Sequence, residues 1–378
     1  VLDRRQLKIL TDLLKLPTAP FTEGAVRRYI LDFCSRRPLL RVREDAAGNI
    51  LVHYKLAARS RPVCLCAHTD HPGFRALRMK GANVLQARWL GGVPAEYFPG
   101  AGVRFFSDGD WIRGRITKTK LKTLGLERPG KMVDQVQVSL NGARPRQVAP
   151  GSPGMWDLPD PQLRGRLIHA RGCDDVAGCS AILAAIEHLV RRRIRTEAYF
   201  LFTRAEEVGF IGAIAACRLG TIPRRCLVVA IETSSVIPGV VMGAGPILRV
   251  GDKSSVFTPE LTAWCGRVAE KLAARDADFR YQRKLMDGGS CESSAYCRLG
   301  YAATGLCIAL GNYHNCDRRR RRIAPEFIDV HDLGRMIRWF VALTSARAEL
   351  GAAEASFEKR LARLERRYRR LLAATSRI

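Results

Sequence analysis

The stretch Thr203-Arg204-Ala205-Glu206-Glu207-Val208-Gly209-Phe210-Ile211-Gly212-Ala213 follows directly on the apolar run Tyr199-Phe200-Leu201-Phe202. A buried strand here ends in two adjacent carboxylates, and glycines then let the chain turn tightly into a helix. Leu201 and Phe202 predict a dry wall beside the pair, where burial drives a carboxylate toward its neutral form unless a cation is near. Taken alone, the pair reads either as acids decorating a helix start or as a metal ligand beside a general base.

The same strand–loop–helix order recurs on both sides of it. Residues 49–54 and 62–67 read as neighbouring strands, the second apolar on both faces, like a central strand of a covered sheet. Beyond residue 166 the pattern predicts a helix over 176–193, a strand over 197–203, a helix near 207–218 and a strand over 226–231. Helices over 258–274 and 291–299, a strand over 303–310 and a helix over 326–348 complete it. Such alternation predicts an α/β fold with a mostly parallel central sheet and helices on both faces. Active sites of these folds lie at the carboxyl ends of strands.

Between residues 74 and 166 the texture changes to short Val-rich runs punctuated by Gly and Pro. Two hairpin signals, Ser107-Asp108-Gly109-Asp110 and Asn141-Gly142, point to a small inserted β-domain. The expected division is a catalytic domain of 1–73 and 167–350, a barrel-like insert of 74–166, and a basic C-terminal helix of 351–378. In that tail Phe357, Leu361, Leu364, Tyr368 and Leu371 repeat at alternating spacings of four and three. That is an amphipathic helix, either a short coiled-coil seam or a helix docked on its own domain.

The chain has 378 residues and a net charge of +27, mostly from Arg. The positive charges are scattered, with local concentrations at Arg318–Arg322 and in the tail, and they lack the aromatic interleaving of single-strand binding. A nucleic-acid partner is therefore not expected. Neither is a membrane partner, because no stretch approaches the roughly 18 apolar residues of a spanning helix. Val1-Leu2-Asp3-Arg4-Arg5 lacks the apolar core of a signal peptide. Twelve cysteines without a C-x-x-C pair read as buried thiols of a reducing compartment, so the cytoplasm is expected.

Five segment ends deliver metal-binding residue types: His68-Thr69-Asp70, Gly172-Cys173-Asp174-Asp175, Glu206-Glu207, Glu232, and Asn312-Tyr313-His314. Each alone has a plain explanation, such as Asp at a helix N-cap. Together, on one edge of one sheet, two His and several carboxylates suit Zn²⁺, Co²⁺ or Mn²⁺. There is one carboxylate too many for a single tetrahedral site, which suggests two ions about 3.5–4 Å apart sharing a bridging carboxylate.

In order and type these motifs resemble those of the TET-type (tetrahedral) co-catalytic metalloaminopeptidases, within the wider zinc aminopeptidase and carboxypeptidase clan. The resemblance spans roughly residues 5–348, and its most specific piece is Glu206-Glu207-Val208-Gly209-Phe210-Ile211-Gly212-Ala213. It implies that His68, Asp174 and Glu232 hold one metal ion, and that Asp174, Glu207 and His314 hold the other, with Asp174 bridging. Glu206 would be the general base acting on a water shared by the two ions, and Asp70 would orient His68. The ions would be zinc, with cobalt or manganese as alternatives. A cis peptide between Asp174 and Asp175 is implied as well.

The implied activity is removal of N-terminal residues from short peptides, by a homo-oligomer anywhere from dimer to dodecamer. The sequence departs from the family pattern in three places. Glu232 stands where the family usually has Asp. The loop Asp287-Gly288-Gly289-Ser290-Cys291-Glu292 ends in Glu, which is expected to line the pocket and anchor a substrate α-ammonium. The Arg-Tyr pair before the last His is replaced by Asn312-Tyr313. Two other functions fit the same residues: a deacylase or deacetylase of N-acyl amino acids, and a catalytically inactive basic binding protein.

Overall fold

The structure, a computed structural model, describes residues 2–123, 130–142, 146–347, 350 and 352–376, the side chains of 352–354 and 356 excepted. The ends of the expected tail helix, residue 351 and residues 377–378, lie outside the described residues, as do 348–349. Helices α1 (Arg4–Leu14) and α2 (Gly24–Ser35) lead into strands β1 (Leu40–Glu44), β2 (Ile50–Lys55) and β3 (Val63–His68). Next come β4 (Gly73–Gly81), β5 (Val84–Leu90), β6 (Gly102–Ser107), β7 (Asp110–Thr123), β8 (Lys131–Leu140) and β9 (Pro153–Trp156). The short strands β10 (Gln162–Arg164) and β11 (Leu167–Ala170) precede α3 (Val176–Arg192), β12 (Glu197–Thr203), α4 (Ile211–Arg218), β13 (Leu227–Ser235) and β14 (Ile247–Asp252). Then follow α5 (Pro259–Ala273), β15 (Gln282–Met286), α6 (Glu292–Arg298), β16 (Ala302–Leu310), β17 (Cys316–Asp317) and β18 (Arg322–Ile323). The chain closes with β19 (Glu326–Asp329), α7 (Val330–Ser345) and α8 (Ala352–Ala374).

Eight strands form one sheet in the order β1-β2-β12-β3-β13-β16-β14-β15. Its centre, β12-β3-β13-β16, is parallel throughout, and antiparallel pairs occur toward the edges. The core explains why β3 shows no polar alternation. Val63, Leu65 and Ala67 face a cluster shared with α1, α3, α5 and α7, whereas Cys64 and Cys66 face a second cluster with residues of α4 and α6. Both faces are covered, so both sets are apolar, and each large side chain such as Leu65 or Phe200 contributes about 1.5–3 kcal/mol by burial. All twelve cysteines are free thiols. Among the described residues, no helix is long and apolar enough to cross a membrane.

Strands β4-β5-β8-β7-β6-β9 close into a barrel. Its interior is aromatic: the Phe74 ring meets Trp89 and Trp156 at 4.7 and 5.1 Å between centroids. Gly154 on β9 is required there, because a Cβ would lie 2.4 Å from the Phe105 ring. Ser107 and Asp110 pair across a tight turn between β6 and β7. Asn141-Gly142 is not a hairpin turn: β8 pairs with β5 and β7, while the next strand, β9, pairs with β4 and β6. Closure of the barrel, not the turn residues, chooses those partners.

The remaining departures from expectation have local causes. Residues 326–329 form strand β19 against β11 instead of opening the last helix. That helix starts at Val330, where the Asp329 side chain accepts from the amides of His331 and Asp332 as an N-cap. Glu206–Val208 forms a single 3₁₀ turn, and α4 begins only at Ile211. Strands β14 and β15 lie in stretches that gave no strand signal, and β15 is a half-exposed sheet edge.

At the outer end of β12, Glu197 is 1% exposed and receives Arg225 Nη2 at 2.7 Å, the Arg59 amide at 3.0 Å and His53 Nε2 at 3.1 Å. Burial alone raises the pKa of this carboxyl, but the Arg225, Arg59 and His53 bonds hold it down from 4.5 to about 2. Its folded-state pKa is thus depressed, so its stabilisation is complete above the unfolded value and is lost as pH falls from 4.5 toward 2. The contribution is on the order of 3 kcal/mol at neutral pH. Urea unfolding of the parent chain and of Glu197→Gln at stepped pH is expected to show a stability gap that shrinks steadily below pH ~4.5.

Candidate metal centre

The expected residues converge at the carboxyl ends of the parallel strands. His68 ends β3, Glu206 and Glu207 follow β12, Glu232 lies in β13, Asp174 precedes α3, and His314 follows β16. Their atoms form two groups, His68–Glu206–Glu232 and Asp174–Glu207–His314, each with ligand atoms within 4.8 Å of one another. Asp174 lies between the groups and presents one oxygen to each histidine: Oδ1 is 3.5 Å from His68 Nε2, and Oδ2 is 3.8 Å from His314 Nε2. Glu207 Oε2 is 3.3 Å from His314 Nε2, and Glu206 Oε2 is 3.9 Å from His68 Nε2. The Asp174–Asp175 peptide bond is cis.

Hydrogen bonds fix the tautomer of both histidines. His68 Nδ1 donates to the Asp70 carbonyl at 3.0 Å, and His314 Nδ1 donates to the Gly92 carbonyl at 2.8 Å. Each ring is left with Nε2 as the nitrogen that points into the cluster. His68 Nε2, His314 Nε2, Asp174 Oδ1 and Glu207 Oε1 are buried without a hydrogen-bond partner. Buried polar atoms left bare in this way are costly, and a ring whose far nitrogen is held by an acceptor is the arrangement of a metal-ligating histidine.

Charge leads to the same conclusion. Burial, then mutual repulsion with Asp174 and Glu206, pushes the Glu232 carboxyl well above its usual range. Burial does the same at Glu206, with Glu207 and Glu292 adding to it and His68 opposing. Burial disfavours a charged His314, yet Glu207 and Asp174 hold its pKa up at about 10. The pocket therefore has too many carboxylates for the positive charge available, a deficit that divalent cations make good.

Asp70 serves the centre differently from the sequence expectation. It holds His68 chiefly through its peptide oxygen, its carboxylate being 3.6 Å from the ring nitrogen. The carboxylate instead accepts from the amides of Glu206 at 3.0 Å and Glu207 at 3.1 Å. Glu292 is 1% exposed and neither of its oxygens has a partner, with burial raising its pKa to about 7. It is as buried as His68, also 1% exposed, and its charge is felt at Glu206. The preceding loop does line a cleft beside the centre, through Gly288, Gly289 and Ser290, together with Glu232, Arg249 and Tyr313. Larger grooves of about 580 and 420 Å³ lie elsewhere, beside Tyr29 and Trp264, away from the histidines.

Three residues that the sequence reading missed support the loops. Glu326, fully buried, accepts from the amides of Cys173 at 2.7 Å, Asp174 at 3.2 Å and His314 at 2.8 Å. His71 bridges the Asp174 carbonyl at 2.8 Å and Asn315 Oδ1 at 3.0 Å. Glu23 accepts from the Ala205 amide at 3.1 Å and from Arg204 Nε at 2.9 Å. Ala205, Phe210, Asn312, His314 and Asn315 all have left-handed φ between 51° and 63°, a conformation that L-residues keep only where surroundings enforce it. Gly212 lets the loop close, since a Cβ would lie 2.4 Å from the Arg204 backbone.

A centre of this kind, two His–carboxylate groups on the carboxyl edge of an α/β sheet, is the equipment of a metal-dependent hydrolase. Residues 48–319 match the family model of the M42 glutamyl aminopeptidases. The chain belongs to that family and is a metal-dependent aminopeptidase, a peptide hydrolase. A protein of Acetivibrio thermocellus described as a candidate aminopeptidase is 26% identical over 275 residues, covering 70% of this chain and 78% of the relative. Among solved structures, the TET1 peptidase of Pyrococcus horikoshii superposes with a TM-score of 0.72 at 22% identity, over 90% of this chain and 99% of that one. The aminopeptidase APDkam598 of Desulfurococcus kamchatkensis gives 0.73 at 22% identity, over 91% and 96%.

Because Glu326 holds amides on both sides of the centre, Glu326→Gln removes one strong acceptor from the pair of oxygens that grips them. Metal affinity, measured by competition with a chelator, is expected to fall about 10–100-fold while the fold, read by circular dichroism, is kept. Unchanged affinity would mean that the ligand loops hold themselves.

Proposed function

We propose that this chain removes N-terminal residues from short peptides at a centre holding two divalent cations, zinc with cobalt or manganese as alternatives. The observation that carries this reading is the bare pair of Nε2 atoms, one in each ligand group, with Asp174 between them. His68, Asp174 and Glu232 would hold one ion; Asp174, Glu207 and His314 would hold the other. The ions, when bound, supply Lewis acidity that polarises a peptide carbonyl and acidifies water.

The chain's own residues supply the rest. Glu206, 8% exposed, takes the proton given up by the attacking water and returns it to the leaving amine. Its place is set by the Asp70 carboxylate on its own amide and on that of Glu207. Glu206 is itself buried, and exclusion of bulk water there strengthens every charge interaction within the centre. Assembly into a homo-oligomer is supported by the TET1 peptidase of Pyrococcus horikoshii, described as a dodecamer and as able to assemble into a tetrahedron or a large octahedral shell. The free thiols support a reducing compartment, the cytoplasm.

Two variants separate the roles of the adjacent glutamates. Glu206→Gln is expected to retain its metal, by elemental analysis, while kcat on an aminoacyl amide drops at least about 10²-fold. Glu207→Gln is expected to lose about one equivalent of metal. The reverse pattern would exchange the two assignments. Comparable turnover of N-acylated and free-amine substrates would replace the aminopeptidase reading by a deacylase.

A further inference from the structure

Helix α8, Ala352–Ala374, carries Phe357, Leu361, Leu364, Tyr368, Leu371 and Leu372, all exposed, from 42% at Leu364 to 66% at Leu372. Every side chain described on it is exposed, so from Phe357 onward its apolar face is not packed on any described part of the chain. A helix of this length draws most of its stability from burying one face, and among the described residues none covers this one. The cover must come from outside.

The sequence of the helix says what kind. Spacings of four and three put Phe357, Leu364 and Leu371 at d positions of a heptad, and Leu361 and Tyr368 at a positions. From Phe357 to Leu371 the stripe is narrow, with Arg360 and Arg367 at g on one flank and Glu358 and Glu365 at e on the other; Leu372, at the next e, lies past the end of this seam. A lipid surface is met by a broad apolar arc, whereas a seam confined to a and d suits one other helix.

The flanking charges then select the partner and its direction. In a parallel, in-register pair of identical helices, g of one chain lies against e of the next heptad in the other, so Arg360 meets the partner's Glu365 on both sides of the seam. In an antiparallel pair g would face g and e would face e, placing Arg against Arg and Glu against Glu. We propose that α8 pairs with α8 of a second copy of this chain as a parallel, in-register two-stranded coiled coil.

This inference does not rest on the reading of the metal centre. Within one chain Glu365 is held by Arg369 at 2.6 and 2.7 Å, an exposed pair weak enough to be shared with a second guanidinium. From Phe357 to Leu371 the seam is only about 21 Å long. It therefore closes where other contacts of the oligomer hold two chains near each other and raise their effective concentration.

Cysteine cross-linking in the full chain tests the geometry, since the native thiols are all buried or, at Cys297, half-buried. Leu364→Cys puts two d-position thiols face to face only in the parallel, in-register pair; Arg366→Cys, at f, points them apart. Mild oxidation is expected to convert most Leu364→Cys chains to a reducible dimer on a denaturing gel, with at least about ten-fold less from Arg366→Cys. Adding Arg360→Glu to Leu364→Cys should cut that dimer several-fold, and adding Glu365→Arg as well should restore it. Equal cross-linking at both positions, or no rescue by the double charge reversal, overturns the proposal. So does absence of the Leu364→Cys dimer combined with sedimentation of the unsubstituted chain on phosphatidylserine-containing vesicles that Leu364→Glu abolishes; that result would assign the face to a membrane surface.

Discussion

The carboxylate of Asp70 accepts the amides of Glu206 and Glu207, at 3.0 and 3.1 Å, and through these bonds the end of β3 sets the position of the residues that leave β12. Without that grip, a loop with left-handed residues at Ala205 and Phe210 would have no reason to present two carboxylates side by side. The same device recurs twice. Glu23 takes the amide of Ala205, and Glu326 takes those of Cys173, Asp174 and His314. Three buried acids that belong to neither His–carboxylate group thus satisfy the backbone of loops that leave regular structure to carry those groups. A buried amide without such a partner would cost about 1–3 kcal/mol, so the loop geometry and these carboxylates depend on each other.

That solution concentrates negative charge in a dry place. Asp174, Glu206, Glu207 and Glu232 meet two histidines, and the carboxyls of Glu206 and Glu232 are pushed up by burial and by neighbouring carboxylates. Divalent cations would resolve the imbalance, and would give the bare Nε2 and carboxylate oxygens partners. The inserted region takes part as well. The Gly92 carbonyl on the segment after β5 holds His314 Nδ1 at 2.8 Å, so a strand connection outside the main sheet sets the tautomer of a ligand. Movement of the barrel relative to the sheet would be felt directly at one half of the centre.

Much of this was legible in the chain because it is local in sequence. A run such as Cys226-Leu227-Val228-Val229-Ala230-Ile231 reads as a buried strand, and the residue at its end, Glu232, is placed by the strand that precedes it. Glu326, His71 and Glu23 were illegible for the opposite reason. Their work is done on backbone atoms far along the chain, 153 residues away for Glu326 and Cys173, and no spacing rule marks an acid that will solvate a distant amide. Asn141-Gly142 and residues 326–329 misled because barrel closure and pairing with β11 overrode local turn and helix signals.

The central claim is that His68, Asp174, Glu206, Glu207, Glu232 and His314 frame a centre for two cations that share Asp174. Diffraction from crystals of the zinc-loaded protein, with anomalous differences recorded on both sides of the zinc edge, tests it most directly. The account predicts two zinc peaks per chain about 3.5–4 Å apart, one toward His68 and Glu232 and the other toward Glu207 and His314, with Asp174 between them. A single peak, or peaks away from these residues, would contradict it.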